Sequence, residues 1–177
     1  LPAGQPPHRG APQASAAQRR RALTLALEGQ SRLTLDTREL DRPGPSYMVD
    51  TLSALRAECG DRPLCLILGQ DAFNGLPDWH RWRQLPELAH LVVISRPGVE
   101  QPADGPLADL IAARSVERSD ELRARPAGAI LFCTVTALGF SASGIRRQMA
   151  AGRSPRYLLP EAVLAYLQRE RVYSNLD

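Results

Sequence analysis

The sequence predicts an α/β fold, a parallel sheet flanked by helices, and three observations carry that expectation. "PLCLILG", "HLVVISR" and "AILFCTV" are continuous apolar runs of strand length, which is how strands buried on both faces read. Stretches with helical periodicity alternate with these runs, and strand–helix alternation of this kind means a parallel sheet. No internal repeat and no convincing linker divides the 177 residues, so a single domain over 1–177 is expected, long enough for a proper core.

The elements follow in order. "SAAQRRRALTLALEG" opens with Ser15 and Gln18 in capping-box spacing, and Gly29 can end that helix. "RLTLDTREL" alternates apolar and polar residues as a half-buried strand does. "SYMVDTLSALRAEC" puts Val49, Leu52 and Leu55 on one helical face. "GPLADLIAARS" is a helical stretch between the second and third apolar runs, and "PGVEQPADGP", 97–106, is a surface loop. "ASGIRRQMAAG" and "PEAVLAYLQRE" read as two closing helices, with Gly152 and Pro160 as punctuation. The first apolar element is only "LP". A doubly wound domain normally opens with a complete βα unit that carries a phosphate loop. The expectation is therefore a chain that begins inside its domain.

Composition excludes several functions. The 44% hydrophobic and 23% charged content is that of an ordinary globular protein. No run of eighteen apolar residues predicts a transmembrane helix, and "LPAGQPPHRG" lacks the pattern of a signal peptide, so no membrane partner is expected. The net charge is +3 and the pI about 9.1, with charge spread along the chain. Arg19-Arg20-Arg21 is the densest basic cluster and reads as a solvated helix face. A nucleic-acid groove would need a basic stripe with interleaved aromatics, so none is expected; small phosphorylated ligands suit this charge balance. There is no lysine, which removes the Walker A lysine and lysine nucleophiles. Cys59, Cys65 and Cys133 show no CxxC spacing, arguing against a disulfide framework or structural zinc and for a cytoplasmic protein. Cys65 and Cys133 lie in apolar runs and read as small core residues. His8, His80 and His90 are far apart, with no HExxH.

Ligands of open α/β sheets bind beyond the carboxyl ends of the strands. "PLCLILGQD" delivers Gly69 and Asp71 to that edge. Glycine permits close approach of a ligand to the backbone; an aspartate can accept from both hydroxyls of a ribose or, equally well on this motif alone, cap the next helix. Both tryptophans of the chain follow. Trp79, nearer the strand end, is the candidate for stacking on a heteroaromatic ring, and Trp82 is assigned to the core. In "GFSASGIRR", Ser141 and Ser143 precede a helix whose free N–H groups form an anion site, with Arg146 returning to the same end. A polyphosphate cradle and a plain serine cap with a surface arginine both fit, the latter being the more frequent arrangement. The near match to GxSxG has no His/Asp partner and is set aside. His8 and Arg9, in "GQPPHRG", could hold a phosphate, although a solvated turn is the commoner reading. Tyr47, at the start of a helix, lines a pocket or staples the helix entry.

Taken in order, "LPAGQPPHR", "SAAQR", "RPGPSYMVDTL", "LILGQDAFNGLPDWHRW", "LVVISRPG", "SASGIRR" and "RYLLPEAVLAYLQRERVY" resemble the bacterial nicotinate-mononucleotide adenylyltransferase family across the whole chain. Each motif alone is weak; the set is specific. The resemblance implies a Rossmann-like nucleotidyltransferase domain whose first βα unit lies outside this chain. The family's opening motif, of the form GGTFDPxHxGH, supplies the histidines that act on the transferring phosphate, and it does not occur in residues 1–177. The resemblance also implies roles. Gly69 and Asp71 bind the adenosine part, and Trp79 stacks on the pyridine. Tyr47 and the backbone of Met48 face the nicotinate carboxylate. His8 and Arg9 lie by the mononucleotide phosphate. Ser141, Ser143, Ile145 and Arg146 hold the ATP phosphates, and Arg96 is a weaker candidate for phosphate or adenosine. Family members often carry threonine where this chain has Met48, which a backbone contact tolerates.

The implied reaction is adenylyl transfer from ATP to nicotinate mononucleotide, giving nicotinate adenine dinucleotide and pyrophosphate, with Mg²⁺ carried by the ATP phosphates. Residues 1–177 alone are expected to bind these ligands and to transfer slowly. A homo-oligomer is left open. The rival readings are a sister adenylyltransferase acting on nicotinamide mononucleotide or phosphopantetheine, and a non-catalytic nucleotide-binding module.

Overall fold

The computed structural model describes residues 12–95, 102, 104–136 and 138–173. It divides into two units, Leu1–Ser46 with Leu138–Asp177, and Tyr47–Ala137.

The unit Tyr47–Ala137 holds the sheet. It opens with a helix at Met48–Cys59, here α3 in chain order after two helices of the other unit. Strand β1, Cys65–Gly69, runs directly into α4, Gln70–Asn74. Two 3₁₀ turns, Leu76–Asp78 and Trp82–Gln84, lead to α5, Leu85–Leu88. Then come β2, His90–Ser95; α6, Gly105–Arg114; β3, Ser115–Val116; a 3₁₀ segment, Ser119–Ala124; and β4, Ile130–Thr134. The order is β1-β2-β4-β3, every pair parallel, as the strand–helix alternation predicted. Gly69 pairs with Ile94, and Ser95 with Thr134, so the carboxyl ends of β1, β2 and β4 reach one edge together.

Strand side chains alternate between two cores because successive residues point to opposite faces. Leu91 and Val93 of β2 and Ile130 of β4 join Val49, Leu52, Phe73, Leu76 and Leu85 on one face. Val92, Leu131 and Cys133 pack with Leu122 and Ala129 on the other. β2 and β4 therefore match the doubly buried pattern. β1 does not: Leu66 and Leu68 face the first core, but Cys65 and Ile67 are exposed, Ile67 at 66%. β1 stands at the sheet's edge, where a continuous apolar run no longer means burial on both sides. Cys65 is thus not a core residue, while Cys133 is half-buried.

In the unit Leu1–Ser46 with Leu138–Asp177, α1, Ala16–Ala26, begins at the capping box: Ser15 Oγ accepts the Gln18 N–H at 3.2 Å, and Gln18 Oε1 accepts the Ser15 N–H at 2.8 Å. Gly29 takes φ 78° in the turn beyond. "RLTLDTREL" forms no strand. Asp36 instead takes the Arg38 backbone N–H at 2.9 Å and the guanidinium at 2.7 Å, and the chain turns into α2, Arg38–Asp41. A local side-chain acceptor has outcompeted a ladder for the backbone. α7, Ala142–Ala150, and α8, Glu161–Arg169, match the two closing helices. α8 packs on α1 through Val163, Tyr166 and Leu167, with Ala14, Ala22 and Leu25 opposite. Gly105 and Pro106, expected in the loop 97–106, already belong to α6; residues 96–101 and 103 lie outside the described residues.

Candidate active site

The carboxyl end of β1 is the first candidate region. Gly69 stands before α4 as its cap, at φ −71° and ψ 153°. Any residue adopts that conformation, and a Cβ there would meet no atom within 4 Å. The described protein gives no reason for a glycine here, whereas a ligand lying against the backbone would. Asp71 occupies the second helical position rather than the cap. Its side chain is exposed, and no described residue donates a hydrogen bond to its carboxylate. The capping alternative is thereby removed, and the carboxylate is open to outside donors such as ribose hydroxyls.

Between them, Gln70 turns inward and is 2% exposed. Its Nε2 donates to Asn74 Oδ1 at 2.8 Å, one helical turn on, while Oε1 is buried without a partner among the described residues. Sequence reasoning missed this residue. No sequence signal marked it, because the strand's alternation ends at Gly69 and Gln70 already opens α4.

The second group in this unit surrounds Trp79. Trp82 is 8% exposed within the core, as assigned, and its ring carries the Arg83 guanidinium 4.8 Å from its centroid. Trp79 is half-buried, packed against the same core. The turn that separates them is pinned by Trp79 N–H to Leu76 O at 2.9 Å and Trp82 N–H to Trp79 O at 3.2 Å. It also places Arg81 at φ 54°, a left-handed conformation unusual for a side chain of that size. His80 projects from the turn and sets its ring 4.3 Å from that of Tyr47, at 33°. Tyr47 caps α3 by backbone alone, without a side-chain bond. The N–H groups of Met48 and Val49 consequently have no acceptor among the described residues, and a twelve-residue helix directs its positive end there. Tyr47, His80 and these N–H groups form an environment suited to a carboxylate.

The phosphate candidates belong to the other unit. Ser141 caps α7: its Oγ accepts the Gly144 N–H at 3.1 Å, and its carbonyl accepts the Ile145 N–H at 2.9 Å. Ile145 is buried, so it anchors the helix. Ser143 Oγ accepts from Arg146 Nη2 at 2.9 Å, the return that the three-residue spacing predicted. The N–H groups of Ala142 and Ser143 keep no acceptor among the described residues. Two free N–H groups, two hydroxyls and a guanidinium at one helix start can bind an anion. His8, Arg9 and Arg96 lie outside the described residues.

The described residues contain no group of three or more His, Cys, Asp or Glu side chains placed to hold a metal ion. Nor is any described helix long and apolar enough to cross a membrane.

A family described as Cytidylyltransferase-like matches residues 1–148. A protein of Methylococcus capsulatus named "Probable nicotinate-nucleotide adenylyltransferase" is 50% identical over 99% of this chain and 84% of its own length. Those so named from Halorhodospira halophila and Marinobacter nauticus are 54% and 46% identical, over 92% and 98% of this chain and 75% and 81% of theirs. A solved structure, Plasmodium falciparum nicotinic acid mononucleotide adenylyltransferase complexed with NaAD, superposes with a TM-score of 0.62 over 96% of this chain and 78% of that one. At 11% identity it speaks to the fold, a Rossmann-like nucleotidyltransferase. On the strength of the curated relatives, the chain belongs to the nicotinate-nucleotide adenylyltransferase family.

Proposed function

We propose that the chain transfers the adenylyl group of ATP to nicotinate mononucleotide, forming nicotinate adenine dinucleotide on the way to NAD. The observation that carries this is the 50% identity over 99% of the chain to a relative of that name. The mononucleotide's 5′-phosphate oxygen attacks the α-phosphorus of ATP, the α–β bridging bond breaks, and pyrophosphate leaves. Nothing in the step needs a covalent enzyme intermediate, so positioning and charge neutralisation carry the catalysis.

The residues divide the work. Asp71 accepts from the adenosine ribose hydroxyls beside the bare backbone of Gly69. Trp79 stacks on the pyridine, while Tyr47 and the Met48 N–H face its carboxylate. Ser141, Ser143, the start of α7 anchored by Ile145, and Arg146 hold the ATP phosphates, and Arg146 stabilises the charge that builds on leaving pyrophosphate. His8 and Arg9 serve the mononucleotide phosphate, and Arg96 contributes to phosphate or adenosine binding. The start of α7 offers N–H groups, hydroxyls and a guanidinium, a donor set for phosphate oxygens rather than cations. A divalent cation, Mg²⁺ in this reading, would therefore ride on ATP and neutralise its charge. The family match spans both units, which supports one nucleotidyltransferase domain over 1–177. Three free cysteines support a cytoplasmic setting.

The test is product analysis with ATP and either mononucleotide. Nicotinate adenine dinucleotide and pyrophosphate in equal amounts, formed faster than NAD from the amide substrate, are expected. A faster reaction with nicotinamide mononucleotide, or ATP cleavage without dinucleotide, would overturn the assignment.

A further inference from the structure

We infer that Tyr173 is a positioning residue for Arg146, setting the direction of its guanidinium at the start of α7. The inference rests on the reading of Arg146 as the arginine for the ATP phosphates.

The end of α8 shows why Tyr173 needs an explanation. Val172 N–H donates to Leu167 O at 2.9 Å, and Arg171 N–H to Gln168 O at 3.1 Å. These are the paired bonds of a Schellman motif, and they account for the φ of 49° at Arg171, the left-handed position of that motif. Val172, 4% exposed, joins Leu167 in the apolar cluster that completes it. The helix is closed at that point. Tyr173 nevertheless takes φ 70°, and no helix-ending bond among the described residues requires it. A bulky aromatic in the left-handed region is unfavourable and persists only where its surroundings hold it.

What the conformation achieves is the placement of the ring. Tyr173 packs on the cluster of Val163, Tyr166 and Leu167 and presents its ring 6.0 Å from the Arg146 guanidinium carbon. That distance is at the outer limit of cation–π attraction, so the contact is weak as a bond. Its value is directional: Ser143 Oγ fixes Nη2 at 2.9 Å, and the ring restricts the guanidinium from a second direction. An arginine held in this way loses less freedom when it takes up a phosphate.

The experiment measures dissociation constants for ATP, pyrophosphate, adenosine and nicotinate mononucleotide in the full chain, with melting temperatures alongside. Tyr173→Leu keeps an apolar side chain in the cluster but removes the ring. It is expected to weaken ATP and pyrophosphate about 2–10-fold, the ordering cost of one long side chain converted to affinity, with adenosine and the mononucleotide unchanged. Tyr173→Phe, which keeps the ring, is expected to bind all four as the parent does. Tyr173→Met serves as a second ring-less variant should the leucine fail to fold. Unchanged ATP and pyrophosphate binding in a folded ring-less variant, with Arg146→Ala clearly weakened, would overturn the inference alone. Equal loss for all four ligands, or no rescue by phenylalanine, would do the same. Unchanged binding in Arg146→Ala would overturn the phosphate assignment and this inference with it.

Discussion

The ring of His80 lies 4.3 Å from the ring of Tyr47, tilted by 33°, and so joins the turn after Trp79 to the start of α3. An aromatic pair of this kind is worth about 0.5–1.5 kcal/mol beyond the area it buries. If Tyr47 faces the nicotinate carboxylate, His80→Ala weakens nicotinate adenine dinucleotide about 2–10-fold and leaves ATP binding alone. His80→Phe restores the affinity. Isothermal titration of the three proteins with both ligands checks this.

Gly69 and Asp71 should matter to ligand and hardly to fold. A Cβ at Gly69 meets nothing within 4 Å, and the carboxylate of Asp71 has no partner among the described residues. Gly69→Ala and Asp71→Asn are therefore expected to hold stability within about 0.5 kcal/mol, as surface changes do. Asp71→Asn weakens ATP and adenosine by about tenfold or more, the loss of a hydrogen bond to a charged group being about 1.5–3 kcal/mol, and Gly69→Ala weakens both because its methyl stands where the ligand meets the backbone. A fall in melting temperature with intact adenosine binding would return Asp71 to the role of a structural acid.

Arg56 is a clamp that no sequence pattern announces. It makes five hydrogen bonds to four carbonyls: Leu88 twice, at 3.0 and 2.7 Å, and Gly60, Arg62 and Pro126 at 2.7–2.8 Å. Its loss leaves the part-buried Leu88 carbonyl short of donors, at about 2–3 kcal/mol, or roughly 4–12 °C of melting temperature for a chain of this size. Arg56→Lys recovers little, because an ammonium cannot reproduce the planar fork. Thermal melts of the alanine and lysine variants check both statements.

Arg171 offers a gain. It holds the left-handed position of the Schellman motif, φ 49°, where glycine is unstrained. Arg171→Gly should stabilise by about 0.5–1 kcal/mol after the greater flexibility of glycine in the unfolded chain is counted, seen as a melting temperature higher by roughly 1–4 °C.

What could be read from the sequence was what short-range chemistry decides. The Ser15–Gln18 box, the buried face of Val49 and Leu52, the turn at Gly152, φ 69°, and the Ser143–Arg146 return all depend on neighbours a turn apart. What failed depends on partners distant in the chain. "RLTLDTREL" has the alternation of a strand, but no described strand pairs with it, and Asp36 bends it locally through Arg38. "PLCLILG" is a strand whose edge position leaves Ile67 66% exposed. β3 is two residues long and has no pattern to read. His90 is another such case. Fully buried, it accepts the Ala129 N–H on Nδ1 at 3.0 Å and donates from Nε2 to Arg125 O at 2.9 Å. The pair fixes it as a neutral structural histidine, which its place in an apolar run did not reveal.

Tryptophan fluorescence during titration with nicotinate adenine dinucleotide, with NAD as the amide control, decides whether Trp79 receives the pyridine of a nicotinate nucleotide. There are only two tryptophans, and Trp82 is 8% exposed in the core, so Trp82→Phe isolates the signal of Trp79. Stacking of the pyridine on Trp79 gives saturable quenching in Trp82→Phe, stronger for the acid dinucleotide than for NAD, and none in Trp79→Phe. A flat titration in Trp82→Phe, or quenching that survives in Trp79→Phe, would contradict it.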